Sequence, residues 1–315
     1  MEIQIVTGFL GAGKTTFLNK YLPLLSGKTV VIENEFGEIG IDGDRIQEDI
    51  PVREIFAGCI CCSLAMDFRK GIKEIAENFH PDRILIEPSG VGRLTDIVKA
   101  CQMAREREKV SLQITKLIAI VDMASFEEYI EGFGAFYQDQ IERAGLLLVS
   151  HAGTEDKAQK EFVIGRLKEL NPHAILYDGD WRQLEAEELL KLLEETPDYD
   201  EDARRDAAYA ALPADKVFSS VSFTDLPQMR IEDLEAIMKA LKKEQYGYIL
   251  RAKGWVETME KGLIHFDFTP LASEYREEKN PAGTGGEAAV IGCGLNQTAL
   301  EMLFRRKNII GSRNL

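Results

Sequence analysis

The sequence predicts an α/β fold: a mainly parallel, doubly wound sheet followed by a small α+β domain. Two observations predict it. In the first half, short continuous apolar runs alternate with helical stretches, as strands buried on both faces do. After about residue 182 that alternation stops, and strands and helices follow in a mixed order.

Each element has its own signal. Glu2–Val6 is an apolar run that leads into a glycine-rich loop, and Thr15–Leu25 has a helical pattern. Thr29–Ile32 and Val52–Phe56 are apolar strands, and Ser63–Phe79 is a helix. Arg83–Ile86 (RILI), Lys116–Val121 (KLIAIV), Leu146–Val149 (LLLV) and Ala174–Leu176 continue the strands. Leu184–Leu193 closes a first domain, residues 1–193. Residues 194–215 are acidic and Ala-rich with two prolines, and read as a linker. In the second domain, residues 216–315, Val217–Phe223, Gly247–Lys253, Leu263–Phe268 and Ala288–Ile291 read as strands. Ile231–Leu241 and Gln297–Phe304 read as helices, and Glu278–Glu287 (EKNPAGTGGE) as a flexible loop. Arg251, Lys253 and Trp255 alternate along one strand, which predicts a half-exposed sheet face.

Composition excludes some partners. The 315 residues carry a net charge of −15, which argues against nucleic acid or an anionic membrane surface. No apolar run reaches the roughly 18 residues of a membrane span. The start, MEIQIVTGF, reads as a strand rather than an export signal. A cytoplasmic, reducing location is therefore expected, where clustered cysteines serve as metal ligands or redox centres rather than staples.

Residues 8–15 read GFLGAGKT and match G-x-x-x-x-G-K-[ST] in full, with a strand before and a helix after. The pattern is that of a phosphate-binding loop. Gly8, Gly11 and Gly13 let the backbone curl, so that N–H groups around Ala12 and the helix dipole face phosphate oxygens. Lys14 would bridge the β- and γ-phosphates, Thr15 would ligate Mg²⁺, and Thr16 would lie near the α-phosphate. A second stretch, ILIEPSG (84–90), ends an apolar strand in a carboxylate and a glycine. Glu87 would hold Mg²⁺ through water, and the Gly90 N–H would approach the γ-phosphate.

Residues 58–63 read GCICCS, so three of the five cysteines fall within four residues. C-x-C puts Cys59 and Cys61 on one side of an extended segment, while Cys62 points elsewhere. Two thiolates completed by carboxylates suit Zn²⁺, with Co²⁺ or Ni²⁺ as competitors. Nearby, VIENEFGEIGID (31–42) supplies Glu33, Glu35, Glu38 and Asp42. The other readings are a redox thiol pair, buried filler, and a merely solvated acidic turn.

Together GFLGAGKTT, ENEFGEIGID, GCICCS and IEPSG resemble the CobW-type GTPases, a metallochaperone-like branch of the P-loop GTPases. SVSFTDLP (220–227), YILRAKGWV (248–256) and VIGCGLN (290–296) resemble that family's second domain. The resemblance implies slow hydrolysis of GTP to GDP with Mg²⁺ and delivery of zinc or a related metal to client metalloproteins. It implies metal ligation by Glu33, Glu38 and Cys61, with Cys59 and Cys62 beside them. It gives Glu87 and Gly90 a Walker-B-like role and places Asp42 in a switch-like loop that senses Mg²⁺. One departure stands out. Where the family has an N-K-x-D-like motif, this chain has LLLVSHAGTED, with Ser150-His151 for Asn-Lys and Gly153 for Asp. Without that carboxylate, guanine discrimination weakens unless Glu155 or Asp156 substitutes. GTP is the first choice, and ATP or a relaxed preference stays open. The four histidines, at 80, 151, 173 and 265, are isolated, so no metal-storing tract exists.

The expected activity is therefore a nucleotide-gated metal carrier. The rivals are a P-loop kinase acting on a small metabolite and a non-catalytic thiol or metal sensor.

Overall fold

The computed structural model describes residues 1–33, 52–54, 64–150, 157–200, 218–270, 272–277 and 286–305. Glu35, Glu38, Asp42, Cys59, Cys61, Cys62, His151, Gly153, Glu155, Asp156 and residues 201–215 of the expected linker lie outside them. The chain forms two compact units.

Among the described residues, the first unit holds seven strands: β1 (Glu2–Gly8), β2 (Thr29–Glu33), β3 (Val52–Glu54), β4 (Arg83–Glu87), β5 (Gln113–Asp122), β6 (Leu146–Ser150) and β7 (Ile175–Tyr177). They pair in the order β3-β2-β4-β1-β5-β6-β7, and every pairing is parallel. Among the described residues, helices α1 (Lys14–Tyr21), α2 (Leu64–Phe79), α3 (Leu94–Arg107), α4 (Phe126–Arg143) and α5 (Lys157–Leu170) lie between them, and α6 (Ala186–Glu195) follows β7.

Alternate strand residues feed two cores, which is why the strands read as continuous apolar runs. Ile3, Val30, Ile32, Ile84 and Ile86 pack with Phe68 and Ile72 of α2 and with Leu94 and Ile97 of α3. Val6, Val31, Leu85, Ile118 and Leu148 pack on the other side with Phe17 and Leu18 of α1 and with Leu189 and Leu193 of α6. The sheet is thus doubly wound, as expected. The helix expected over Thr15–Leu25 stops at Tyr21, and Leu22–Leu24 forms a 3-10 turn with Pro23 in its first positions. Residues 196–199, expected in the linker, are tied to this unit. Lys116 binds Asp198 at 2.8 Å, and the Tyr199 N–H donates to the Thr115 carbonyl.

The second unit holds β8 (Ser219–Leu226), α7 (Ile231–Ala240), β9 (Tyr248–Thr258), β10 (Gly262–Phe268), β11 (Ser273–Glu277), β12 (Gly286–Cys293) and α8 (Gln297–Arg305). Its sheet is antiparallel, in the order β11-β10-β9-β12-β8. Leu234, Ile237, Leu300 and Phe304 of its two helices pack on Phe223, Val256, Phe266 and Val290.

Strand β11 was not foreseen, because SEYRE is a polar, largely exposed edge strand without apolar alternation. The Arg251–Lys253–Trp255 face is not half-exposed: Lys253 and Trp255 are 3% and 4% exposed. Arg251 is held by a two-pronged pair with Asp267 on β10, at 2.7 and 3.1 Å. Trp255 meets His265 edge to face, at 5.1 Å between ring centres. Polar residue types on this face misled the reading; cross-strand partners let them be buried.

Gly254, between Lys253 and Trp255, sits where β9 and β12 press together. A methyl group there would lie 2.1 Å from the Glu287 carbonyl oxygen and 2.6 Å from Ala288 Cα. Gly254→Ala is therefore expected to destabilise the second unit by about 1–3 kcal/mol or more. Denaturant unfolding followed by Trp255 fluorescence in a Trp181→Phe background reads this. An unchanged midpoint would contradict the strand packing.

Candidate functional site

The site begins where β1 ends. Gly8 is the last residue of β1, and a methyl group on it would lie 2.6 Å from the Ile120 carbonyl oxygen of β5. The loop then turns through Gly13, which caps α1 in the left-handed region (φ 100°, ψ 24°). Only glycine takes that conformation without strain. No side chain caps α1, and no acidic residue lies in its first turn. A helix start left this way offers its N–H groups and positive dipole end to an external anion. Residues 8–15 thus fit a phosphate group on geometry as well as on spelling.

Trp181, missed by the sequence reading, fixes where that helix starts. It is 1% exposed, its ring lies 3.6 Å from the position a Gly13 methyl would take, and it meets Phe17 edge to face. Lys14 is buried and curls back to donate to the Phe9 carbonyl at 3.3 Å. The Thr15 hydroxyl donates to both oxygens of Glu87, at 3.2 and 3.3 Å. Glu87 ends β4, the neighbour of β1, as expected of a strand-end carboxylate. Thr15 and Glu87 bring a hydroxyl and a carboxylate together, a donor set suited to a hard, oxygen-seeking cation such as Mg²⁺. Gly11 and Thr16 are exposed at the same loop, and Ala12 is buried beneath it.

Gly90 has no room for a side chain. A methyl group would lie 2.8 Å from the Leu10 backbone nitrogen, so the loop after β4 touches the phosphate loop directly. That loop is a tight turn closed by the Gly92 N–H on the Ser89 carbonyl at 2.8 Å.

Glu33 ends β2 and is buried, 5% exposed. It stands in register with Glu87, so two carboxylate residues end neighbouring parallel strands. Its expected co-ligands, Glu38, Cys59, Cys61 and Cys62, and the Mg²⁺-sensing Asp42 lie outside the described residues. Among the described residues, no group of three or more His, Cys, Asp or Glu is set to hold a metal. The other two cysteines are poor ligands. Burial pushes the Cys101 thiol up to about 12 and raises that of the half-buried Cys293. Ser150 ends β6 and is buried, with its hydroxyl on the Val121 carbonyl at 3.4 Å.

Other groups were missed as well. Asp122 ends β5 and binds the Ser125 hydroxyl at 2.8 Å and the Ala124 N–H at 3.2 Å. The strand-end carboxylate that singled out Glu87 was equally present in KLIAIVD. On α4, Asp139 accepts from both the backbone N–H (2.9 Å) and the hydroxyl of Thr95, in the first turn of α3. Nothing local in the sequence links those two residues.

Residues 2–178 match the family CobW/HypB/UreG, nucleotide-binding domain. The chain belongs to this family. Three relatives show how far the similarity extends. The zinc chaperone YjiA of Escherichia coli (strain K12) is 29% identical over 281 residues, covering 84% of this chain and 85% of the relative. The zinc chaperone CobW of Sinorhizobium sp is 36% identical over 131 residues, covering 38% of this chain and 36% of that one. The zinc-regulated GTPase metalloprotein activator 1 of Dictyostelium discoideum is 25% identical over 213 residues, covering 56% and 45%. The chain thus spans most of YjiA but less than half of the other two. Among the described residues, no helix is long and apolar enough to cross a membrane.

Asp139 gives the site a measurable pH signature. Burial raises its carboxyl above the ordinary carboxylate range; the Thr95 bonds and the Arg143 and Arg93 charges lower it, without cancelling the rise. A raised carboxyl contributes its full stability below the unfolded value of roughly 3.9 and loses it as pH rises through the folded value. Asp139→Asn cannot ionise. The stability advantage of wild type over this variant is expected to shrink as pH rises from the unfolded value of roughly 3.9 through the raised folded value, read by urea unfolding. An advantage that grows with pH would contradict the assignment.

Proposed function

We propose that the chain is a nucleotide-gated carrier that binds a transition metal ion, zinc first, and hands it to a client metalloprotein. One observation carries this reading: Glu87, which faces Thr15 of the phosphate loop, is in register with Glu33, which opens the acidic segment 33–42. The segment proposed to grip the ion therefore starts one strand away from the groups proposed to grip the nucleotide. The relatives named zinc chaperones and the one named a zinc-regulated GTPase metalloprotein activator favour the same reading.

In this reading the nucleotide domain, expected over residues 1–193, extends to residue 199, because α6 runs to Glu195 and residues 196–199 are tied to it; the rest of the expected linker 194–215 follows, and 216–315 form a second domain of unassigned role. GTP is the nucleotide, hydrolysed slowly to GDP, with ATP as the competitor to be measured. The N–H groups of residues 11–16 bind the phosphates, and Lys14 neutralises the bridging oxygens. Thr15 and Glu87 would hold Mg²⁺, with Asp42 in the sensing loop; the ion would neutralise phosphate charge. Gly90 offers its N–H to the third phosphate. Cys59, Cys61 and Cys62 with Glu33 and Glu38 form the site for the cargo ion, Zn²⁺ or else Co²⁺ or Ni²⁺. Loss of the third phosphate loosens the 33–42 segment and lowers the hold on the cargo. The partners are a guanine nucleotide and a client protein in the cytoplasm, with neither nucleic acid nor membrane.

Two substitutions separate the two sites. Lys14→Ala is expected to abolish binding of a fluorescent GTP analogue and to leave one zinc per chain. Cys61→Ala is expected to lose the zinc and keep the nucleotide. Metal analysis of chelator-free protein and a fluorescence titration read both. Loss of both ligands in a folded Cys61→Ala protein, or zinc retained in it, would overturn the assignment.

A further inference from the structure

Helix α4 touches both loops of the nucleotide site. It bends at Gly134 (φ 23°, ψ −99°). Before the bend, the Tyr129 hydroxyl donates to the Leu10 carbonyl of the phosphate loop at 3.5 Å. Phe9 of that loop is fully buried among Tyr129, Phe133 and Tyr137, with ring centres 4.5–5.5 Å apart. After the bend, the Gln140 amide donates to the Gly90 carbonyl at 3.1 Å and the Gly92 carbonyl at 2.7 Å. The adjacent Asp139 anchors the start of α3, which leads out of the same turn.

Gln140 is 1% exposed, and its amide oxygen is buried with no hydrogen-bond partner. Leaving a buried polar atom unmet costs free energy, roughly 1–3 kcal/mol. An apolar side chain would avoid that cost but would take the donor away from the Gly90 and Gly92 carbonyls, so the glutamine is kept for those two bonds rather than for packing. What the amide does supply is two N–H donors, and both go to the turn that carries Gly90.

We propose that Gln140 is a positioning residue for the third phosphate: it clamps the Ser89–Gly92 turn so that the Gly90 backbone meets the nucleotide in a fixed direction. The role rests on the nucleotide reading above and deepens it. The phosphate loop binds the first two phosphates without help from this turn. Gln140 therefore governs the discrimination of GTP from GDP, and the hydrolysis that follows, rather than nucleotide binding as such. The Tyr129 contact lies on the phosphate loop itself and affects both nucleotides alike.

The test compares full-length wild type, Gln140→Met and Tyr129→Phe, using fluorescent GDP and a fluorescent non-hydrolysable GTP analogue. Gln140→Met keeps the side-chain volume and removes both donors. Its GDP affinity is expected to stay within about twofold while its GTP-analogue affinity and GTP turnover fall about tenfold, the scale of two lost neutral hydrogen bonds. Tyr129→Phe is expected to weaken both nucleotides by the same factor. A merely structural role for Gln140 would lower the melting temperature and leave the GTP-to-GDP affinity ratio unchanged, and that result overturns the proposal. Should Gln140→Met fail to fold, hydrogen exchange on wild type decides. Peptides covering 89–92 and 135–143 are expected to slow together when the GTP analogue replaces GDP; no change in 135–143 overturns the proposal. A wild type that binds neither nucleotide overturns the underlying reading and this proposal with it. A wild type that binds both, beside a variant with an unchanged ratio, removes only the role of Gln140.

Discussion

The whole arrangement depends on one constraint: in a parallel sheet, every strand delivers its last residue to the same edge. β1 delivers Gly8, β2 Glu33, β4 Glu87, β5 Asp122 and β6 Ser150. Backbone N–H groups at the start of α1 supply positive potential at that edge, and strand-end carboxylates supply the negative. Because β4 lies between β1 and β2, one carboxylate, Glu87, is next to both the phosphate loop and Glu33. Reordering the strands would leave every motif intact and separate the groups they supply.

That constraint also explains what was legible beforehand. GFLGAGKT could be read because its chemistry is local: the glycines, the lysine and the threonine act within eight residues of one another. Glu87 could be read because an apolar run that ends in a carboxylate says where the strand stops. The doubly wound sheet could be read because burial on both faces leaves unbroken apolar runs. Asp139, Gln140 and Tyr129 could not be read. Their partners Thr95, Gly90 and Leu10 lie 44, 50 and 119 residues away, so only the folded chain brings them together. Lys253 and Trp255 were misread for the same reason, since residue type alone does not announce a buried cross-strand partner.

Support for the site comes from beneath as much as from its own residues. Trp181 and Phe17 fix the start of α1, and the aromatic group around Phe9 fixes the loop before it. Asp139 and Gln140 hold the neighbouring turn and the start of α3. These are buried polar and aromatic anchors, rigid where the loop they serve is built largely from glycine. Phosphate recognition by backbone N–H groups tolerates little displacement, so a glycine-rich cradle needs stiff surroundings.

The central claim is that cargo ion and nucleotide are bound by one coupled device. By linkage, the same coupling free energy must appear in both affinities. The most direct measurement is a competition titration of zinc into the full chain with Mg²⁺ present, once saturated with GDP and once with a non-hydrolysable GTP analogue. The account predicts a single tight site whose affinity differs at least about fivefold between the two states. Two superimposable titration curves would contradict it.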